Sequence, residues 1–332
     1  MVIVPGQFGK EAMKNKKILV TGATGLLGSH LVKNLLDEGN KVIVLVRDKV
    51  PYSYFYELRL NKKTVIVDGD LLDRNLIERV MFEYEIDGVF HLGAQTQVVT
   101  ANSYPLSTWR SNVEGTWNML EAARNYGGCK TIIVASSDKA YGEHKQLPYL
   151  EDTPLLGISP YDASKACADM ISRSYAITYG LPVVITRCAN IFGEGDYNLQ
   201  RLIPGAIDAF SKNRVFIIRS DGKLVRDYIY VKDVVEAMLL IWKVFEKEGL
   251  GGEVFNISSE KPMSVLAIVK EISKVMKKRL KYKIARIARN EIKKQTLSAS
   301  KLKSRLGWKV AYSLNKGLKK TIDWQMKGRG YR

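Results

Sequence analysis

Cysteine is scarce in this chain: Cys129, Cys167 and Cys188 are its only three. They are odd in number and widely spaced, with no C-x-x-C pair, which excludes a disulfide framework and a thiolate zinc site. They read as small buried apolar side chains, and reduced thiols suit a cytoplasmic protein. Histidine is equally sparse. His30, His91 and His144 lie far apart in sequence, so no metal is expected. No stretch reaches the roughly 18 consecutive apolar residues of a membrane-spanning helix, so no membrane partner is expected. The first dozen residues lack the order of segments that marks a signal peptide, and 1–14 read as a short extension before the first strand.

What the chain does have is length and basic charge. Its 332 residues suffice for one large α/β domain and a smaller one. Apolar content of 46% and charged content of 26% are ordinary for a globular protein. The net charge of +18 is unevenly placed: residues 261–332 hold 22 Lys plus Arg against 3 Asp plus Glu, and the remainder is near neutral. A solvated, Lys-rich helix surface is the leading reading of that tract. A surface for an acidic partner or a polyanionic substrate comes second. Nucleic-acid binding is unlikely, because few aromatics are interleaved and no known module is present.

Apolar runs alternate with helical patterns from the start. Strands are expected at 17–20, 41–46, 64–67, 88–92, 131–135 and 182–186. Helices are expected at 29–38, 76–84, 113–125 and 161–179. This rhythm means βαβ units, hence a doubly wound, Rossmann-type parallel sheet covered on both faces. It breaks after Asn190. Residues 15–190, with 226–250 returning to them, are read as the dinucleotide-binding domain. Residues 191–225 and 251–332 are read as a smaller α/β substrate-binding domain.

The first strand runs into Thr21-Gly22-Ala23-Thr24-Gly25-Leu26-Leu27-Gly28. Gly22 permits a tight turn, Gly25 lets the backbone approach a pyrophosphate, and Gly28 lets the helix pack close to the sheet. The amides of Thr24 through Gly28 then open the positive end of a helix to phosphate. After the second strand, Asp48 suits a free ribose hydroxyl and Arg47 suits a 2′-phosphate, so NAD and NADP both stay open. Asp70 and Leu71 follow the third strand and are placed to flank an adenine.

Tyr161 and Lys165 are four apart, on one face of the expected long helix. Near a bound nicotinamide, the positive charges of Lys165 and of the cofactor would stabilise a tyrosinate, making Tyr161 a base for a sugar hydroxyl. Just upstream a strand ends in Ser137-Asp138-Lys139, at the sheet edge where ligands of parallel sheets bind. Ser137 is a hydrogen-bonding candidate for the reacting hydroxyl, Asp138 an acid candidate and Lys139 a base candidate.

These residues resemble the extended short-chain dehydrogenase/reductase family, the NAD-dependent epimerases and dehydratases. The resemblance runs from Lys17 to about Trp324. It takes in the glycine loop, His91-Leu92-Gly93-Ala94-Gln95, Asn112, Tyr161 and Lys165, Arg187 through Asn190 to Gly193, Val225-Arg226-Asp227-Tyr228 and Leu306-Gly307-Trp308. It implies that Leu92 to Gln95 and Asn112 line the cofactor, with Gln95 also facing substrate. It implies a nucleoside diphosphate sugar as substrate. Asn190 and Arg226 would contact its diphosphate, Leu202 to Pro204 its base, and Arg201 and Arg219 would join them. Within the family, Ser137-Asp138-Lys139, Arg201-Leu202-Ile203-Pro204 and Arg219-Ser220-Asp221-Gly222 look most like 4,6-dehydratases of the CDP-glucose type. The glycine loop reads as in epimerases, so an NDP-sugar 4-epimerase is the alternative. The family also implies a homodimer through helices near 112–124 and 161–179.

Overall fold

The structure is a computed structural model and describes residues 14–50, 52–287 and 291–328. All but the last residue of the expected extension thus lies outside the described residues. Seven parallel strands form the large sheet. Six follow the expected runs: β1 (Lys17–Thr21), β2 (Lys41–Val46), β3 (Val65–Asp68), β4 (Gly88–His91), β5 (Thr131–Ser137) and β6 (Val183–Cys188). The seventh, Val254–Ile257, pairs in parallel with β6. Read from that edge, the order is Val254–Ile257, β6, β5, β4, β1, β2, β3. The winding reverses between β1 and β4, and that reversal opens a crevice at the strands' carboxyl ends.

Alternation within the strands divides the core. Ile18, Val20, Val42, Val44, Phe90 and Ile133 face one side, with helix α1 (Leu26–Asp37) and helix Val231–Glu248. Leu19, Ile43, Val89 and Ile132 face the other, with helices Arg74–Tyr84 and Gly115–Tyr126. Because both faces are covered, the strands read as continuous apolar runs. Trp242 stacks on Phe90 with centroids 4.9 Å apart. Gly88 makes room for it, since a Cβ there would stand 2.2 Å from the indole.

A third core holds the smaller lobe together. Ile203, Ile207 and Phe210 meet Ile268, Val269, Ile272, Leu318 and Ile322. Short strands frame it: Asn190–Phe192 beside Tyr228–Tyr230, and Phe216–Ile218 beside Tyr282–Ile284. The helices here bury apolar faces and leave Lys270, Lys274, Lys277, Lys278 and Lys319 exposed, which accounts for the basic tract as solvated surface.

Two expectations need correction. Residues 251–332 do not all belong to the smaller lobe. Val254–Ile257 completes the large sheet, and Leu297, Ala299, Leu302, Leu306 and Trp308 pack into its core. That strand is only four residues long and lies in a region without the earlier βα rhythm. Of the three cysteines, Cys129 and Cys188 are buried, but Cys167 is only partly covered.

The long helix Pro160–Tyr179 starts well: Ser159 caps it and Pro160 occupies its first turn. It is fixed to the sheet by a buried ion pair. Arg187 on β6 donates from Nε and Nη2 to both carboxylate oxygens of Asp169, each at 2.8 Å. Arg187 and Asp169 are 1% and 0% exposed. Removing one partner strands a buried charge, which typically costs about 3–5 kcal/mol. Asp169→Ala is therefore expected to lower the free energy of unfolding by about that amount in urea titrations. A loss below 1 kcal/mol would show that the pair contributes little.

Candidate active site

At the crevice, α1 starts without a side-chain cap. Gly25 stands at its N-cap position and offers no acceptor to the first-turn amides, so these stay open to an anion. Gly22 has φ +69°, and a Cβ there would press on the backbone of Leu92 and Gly93 at 2.8 Å. Gly28 packs so closely that its Cβ would lie 2.1 Å from the Gly22 carbonyl oxygen. Ser53 Oγ donates to the Thr24 carbonyl at 2.6 Å and steadies the outer turn. A pyrophosphate fits this cradle: bare backbone, free amides and a helix dipole.

The cradle's floor is a hydrogen-bond chain. Thr21 Oγ1 accepts from the amides of Leu92 and Gly93 at 3.1 and 2.9 Å and lies 3.0 Å from His91 Nδ1. Thr116 Oγ1 donates to the Asn112 carbonyl at 2.6 Å and lies 3.1 Å from His91 Nε2. Thr116's proton is thus committed, so Nε2–H donates to it and Nδ1 accepts from Thr21. Burial, aided by the nearby Lys165 charge, drives the His91 pKa down to about 3, so the ring is neutral. Asn112 lies in a wide helical turn, Arg110–Glu114, of a kind frequent at functional sites. Its carboxamide accepts from the Gln95 amide at 2.7 Å and donates to the Gln95 carbonyl at 3.0 Å and to Ser164 Oγ at 2.9 Å. The Gln95 side chain itself folds onto Gln97.

Other cofactor-side candidates are at the crevice rim. Arg47 Nε and Asp48 Oδ2 pair at 2.7 Å, both largely exposed. Asp70 accepts from the Leu72 amide at 3.1 Å. Leu71 packs against Gly93 and Gly115.

On the other side, β5 ends in Ser137, followed by Asp138 and Lys139. Ser137 Oγ accepts from the Lys139 amide at 3.2 Å and donates to Asp138 Oδ1 at 3.1 Å. Asp138 is 2% exposed, and burial pushes its carboxyl pKa up. Lys139 is half-buried beside it. Tyr161 is buried, and desolvation pushes its phenol up to about 12, with Arg201 and Asp138 near enough to act on it. Lys165 Nζ donates to the Ala135 carbonyl at 2.7 Å, and burial pulls its pKa down to about 8.

Arg226 is nearly buried and acts electrostatically on Asp138. Its guanidinium pairs with Glu291 at 3.1 Å and with its neighbour's carbonyl at 2.8 Å. Arg201 reaches Asp196 at 3.4 Å, and Asn190 donates to the Asp227 carbonyl at 3.3 Å. Leu202 and Pro204 open the helix Leu202–Ser211. Arg219 is exposed, directly after the strand Phe216–Ile218. The structure adds Tyr228, buried and near Arg226 and Asp138, and Gln295, whose Nε2 donates to the Asp138 carbonyl at 3.4 Å. No sequence spacing marks either one. Among the described residues, no three His, Cys, Asp or Glu groups are placed to hold a metal, and no helix is long and apolar enough to cross a membrane.

An anion cradle above β1 and a buried Tyr161–Lys165 pair facing it are the two working halves of a short-chain dehydrogenase/reductase, and the added lobe makes this one of the extended kind. Over residues 19–321 the sequence matches the family described as GDP-mannose 4,6 dehydratase, and the chain belongs to that family.

Its relatives are named as dehydratases and epimerases, one of them also as a reductase. A trifunctional UDP-glucose 4,6-dehydratase/UDP-4-keto-6-deoxy-D-glucose 3,5-epimerase/UDP-4-keto-L-rhamnose-reductase of Arabidopsis thaliana is 33% identical over 93% of this chain, which spans 47% of that protein. The dTDP-glucose 4,6-dehydratase of Bacillus anthracis, solved in complex with NAD, superposes with a TM-score of 0.82 at 28% identity, covering 95% of this chain and 97% of that one. The UDP-glucose 4-epimerase of Thermotoga maritima, solved with UDP-glucose, gives 0.84 at 30% identity, covering 94% and 99%.

The depressed Lys165 pKa has a signed consequence. Between about 8 and the unfolded value of about 10.4 the unfolded chain holds a proton that the folded chain has released, so this residue makes stability rise with pH across that window. Lys165→Met is expected to flatten the slope in urea titrations at pH 8 and pH 10. An unchanged slope would mean that Lys165 stays charged when folded.

Proposed function

We propose that this protein is an NAD-dependent nucleotide-sugar 4,6-dehydratase that forms an NDP-4-keto-6-deoxyhexose. The observation that carries the reading is Asp138: an enclosed carboxyl, its pKa pushed up by burial, at the strand end beside Tyr161. An epimerase needs no acid there, whereas loss of a hydroxyl as water does.

In this reading NAD, when bound, supplies a hydride acceptor at carbon 4 and returns the hydride to carbon 6. Thr24 to Gly28 hold its pyrophosphate, with Asp70, Leu71, Leu92 to Gln95 and Asn112 along its length. Asp48 takes the ribose hydroxyl; NADP would require Arg47 to leave Asp48 and turn outward. Tyr161 removes the proton of the 4-hydroxyl; Ser137, whose hydrogen is held by Asp138 Oδ1, meets that hydroxyl as an acceptor before the proton leaves. The ketone so formed acidifies the carbon 5 proton, which Lys139 takes and returns to carbon 5 as the hydride reaches carbon 6. Asp138 protonates the departing 6-hydroxyl. Asn190, Arg201 and Arg226 neutralise the substrate's diphosphate, and Leu202 and Pro204 meet its base. Glu291 must then give up Arg226.

The CDP-glucose type is our choice for the nucleotide, resting on the Asp138-Lys139 dipeptide; dTDP and UDP are supported by the relatives. The 4-epimerase reading has the Thermotoga structure in its favour. A homodimer, in the cytoplasm, completes the proposal. Helices Gly115–Tyr126 and Pro160–Tyr179 leave Trp117, Met170, Ile177 and Tyr179 exposed at 43%, 62%, 72% and 58%, a patch suited to a partner copy.

Incubation with CDP-, GDP-, UDP- and dTDP-hexoses, without added reductant, is expected to give loss of one water from one of them by mass spectrometry. Asp138→Asn should slow that loss by about 10²–10⁴-fold. An unchanged mass with a new 4-epimer by NMR would move the assignment to epimerase. Tyr161→Phe should cut the rate by a similar ~10²–10⁴-fold while NAD still binds in calorimetry; loss of binding as well would remove its role as base.

A further inference from the structure

Three buried polar oxygens near the end of β5 have no hydrogen-bond partner, Ser136 Oγ, Asp138 Oδ2 and Gln295 Oε1, and the last two belong to the acid and to a carboxamide bonded to its turn. Gln295 is fully buried. Its own Nε2 donates to the Asp138 carbonyl at 3.4 Å, so the carboxamide lies against the turn that carries the acid. Its backbone is pinned separately: the Gln295 amide donates to the Val225 carbonyl at 3.0 Å, directly beside Arg226, and Val225 also bridges Lys294. The residue therefore joins the acid to the strand that bears the expected diphosphate arginine.

The two orphan oxygens differ in what they need. Asp138 Oδ1 already accepts from Ser137 Oγ at 3.1 Å, which leaves Oδ2 as the oxygen that carries the acid proton and can donate. The Gln295 Oε1 can only accept. One hydroxyl, which accepts and donates at once, satisfies both. Buried polar groups without partners inside a protein mark a place built for something else to complete.

We propose that Gln295 is a substrate-orienting residue that holds the sugar's 6-hydroxyl between its Oε1 and the carboxyl of Asp138. This rests on the dehydratase reading. The 6-hydroxyl points its hydrogen at Gln295 and so presents a lone pair to Asp138. Elimination then balances: the carbon 6–oxygen bond breaks, a carbon 5–carbon 6 double bond forms, and the carbon 5 proton goes to Lys139. The oxygen keeps its own hydrogen, takes the Asp138 proton and leaves as neutral water. Without Gln295 the hydroxyl is free to turn its hydrogen toward Asp138, in an orientation that cannot accept the proton.

The test separates oxidation from elimination. Holoenzyme is mixed in single turnover with CDP-, dTDP- or UDP-glucose, whichever the wild type converts. Reduced nicotinamide is followed by absorbance and water loss by mass. Gln295→Met should form reduced cofactor at a rate within about threefold of wild type, accumulate it, and lose water at least tenfold more slowly. KM should change little. Gln295→Glu, which keeps an acceptor at the same reach, should recover most of the elimination rate. Circular dichroism melts check that both variants fold. Equal loss of oxidation and elimination, or no loss of either, overturns the proposal. A wild type that releases no water from any nucleotide hexose overturns the dehydratase reading itself, which the variants alone cannot do.

Discussion

Arg187 and Asp169 meet in the interior of the molecule, and the active site is arranged around their contact. Asp169 lies one turn beyond Lys165 and two beyond Tyr161 on the helix Pro160–Tyr179. Arg187 lies on β6, next to the strand that ends in Ser137. Its remaining Nη1 donates at 2.9 Å to both Tyr141 Oη and the Glu151 carbonyl. Tyr141 closes the short helical turn that begins with Asp138, and its hydroxyl goes on to Asn256 on the seventh strand at 2.7 Å. One guanidinium thus sets the distance between the helix that holds the base and the turn that holds the acid. A buried pair of this kind adds little net stability over an apolar substitute. Its fixed fork geometry is what an apolar contact cannot supply.

The cofactor side is ordered by the same means with neutral groups. Thr21, His91, Thr116 and Asn112 form a chain in which each proton has one place to go. That chain ends at Ser164, which also donates to the Tyr161 carbonyl at 2.7 Å. The switch-point loop after β4 and the start of the catalytic helix are therefore held by a single asparagine. The wide turn Arg110–Glu114 puts Asn112 in reach of both.

Much of this architecture is legible in the residue order because its signals are local. Continuous apolar runs mark doubly covered strands, three glycines mark the close approach of loop and helix, and a four-residue spacing puts Tyr161 and Lys165 on one helix face. What stays hidden depends on partners far apart in the chain. Asp169 and Arg187 are 18 residues apart, and Asp138 and Gln295 are 157. Neither pair has a period or a motif. Val254–Ile257 is too short to show a pattern, and only the free edge of β6 makes it a strand.

The free site is also electrically quiet. Burial raises the pKa of Asp138 and of Tyr161 and lowers that of Lys165, three shifts with one cause. The counter-charges arrive with the ligands. In the proposed reaction an oxidised nicotinamide would bring a positive charge that favours loss of the Tyr161 proton, and a diphosphate would draw Arg226 from Glu291. Each ligand thus alters the protonation or pairing of groups that the other needs. In the proposed reaction the Tyr161 phenol becomes a base only when cofactor is present, and enclosure of Asp138 favours its protonated form. The same enclosure that makes the catalytic groups costly to ionise separates their roles, giving one buried carboxyl to donate and one buried phenol to accept.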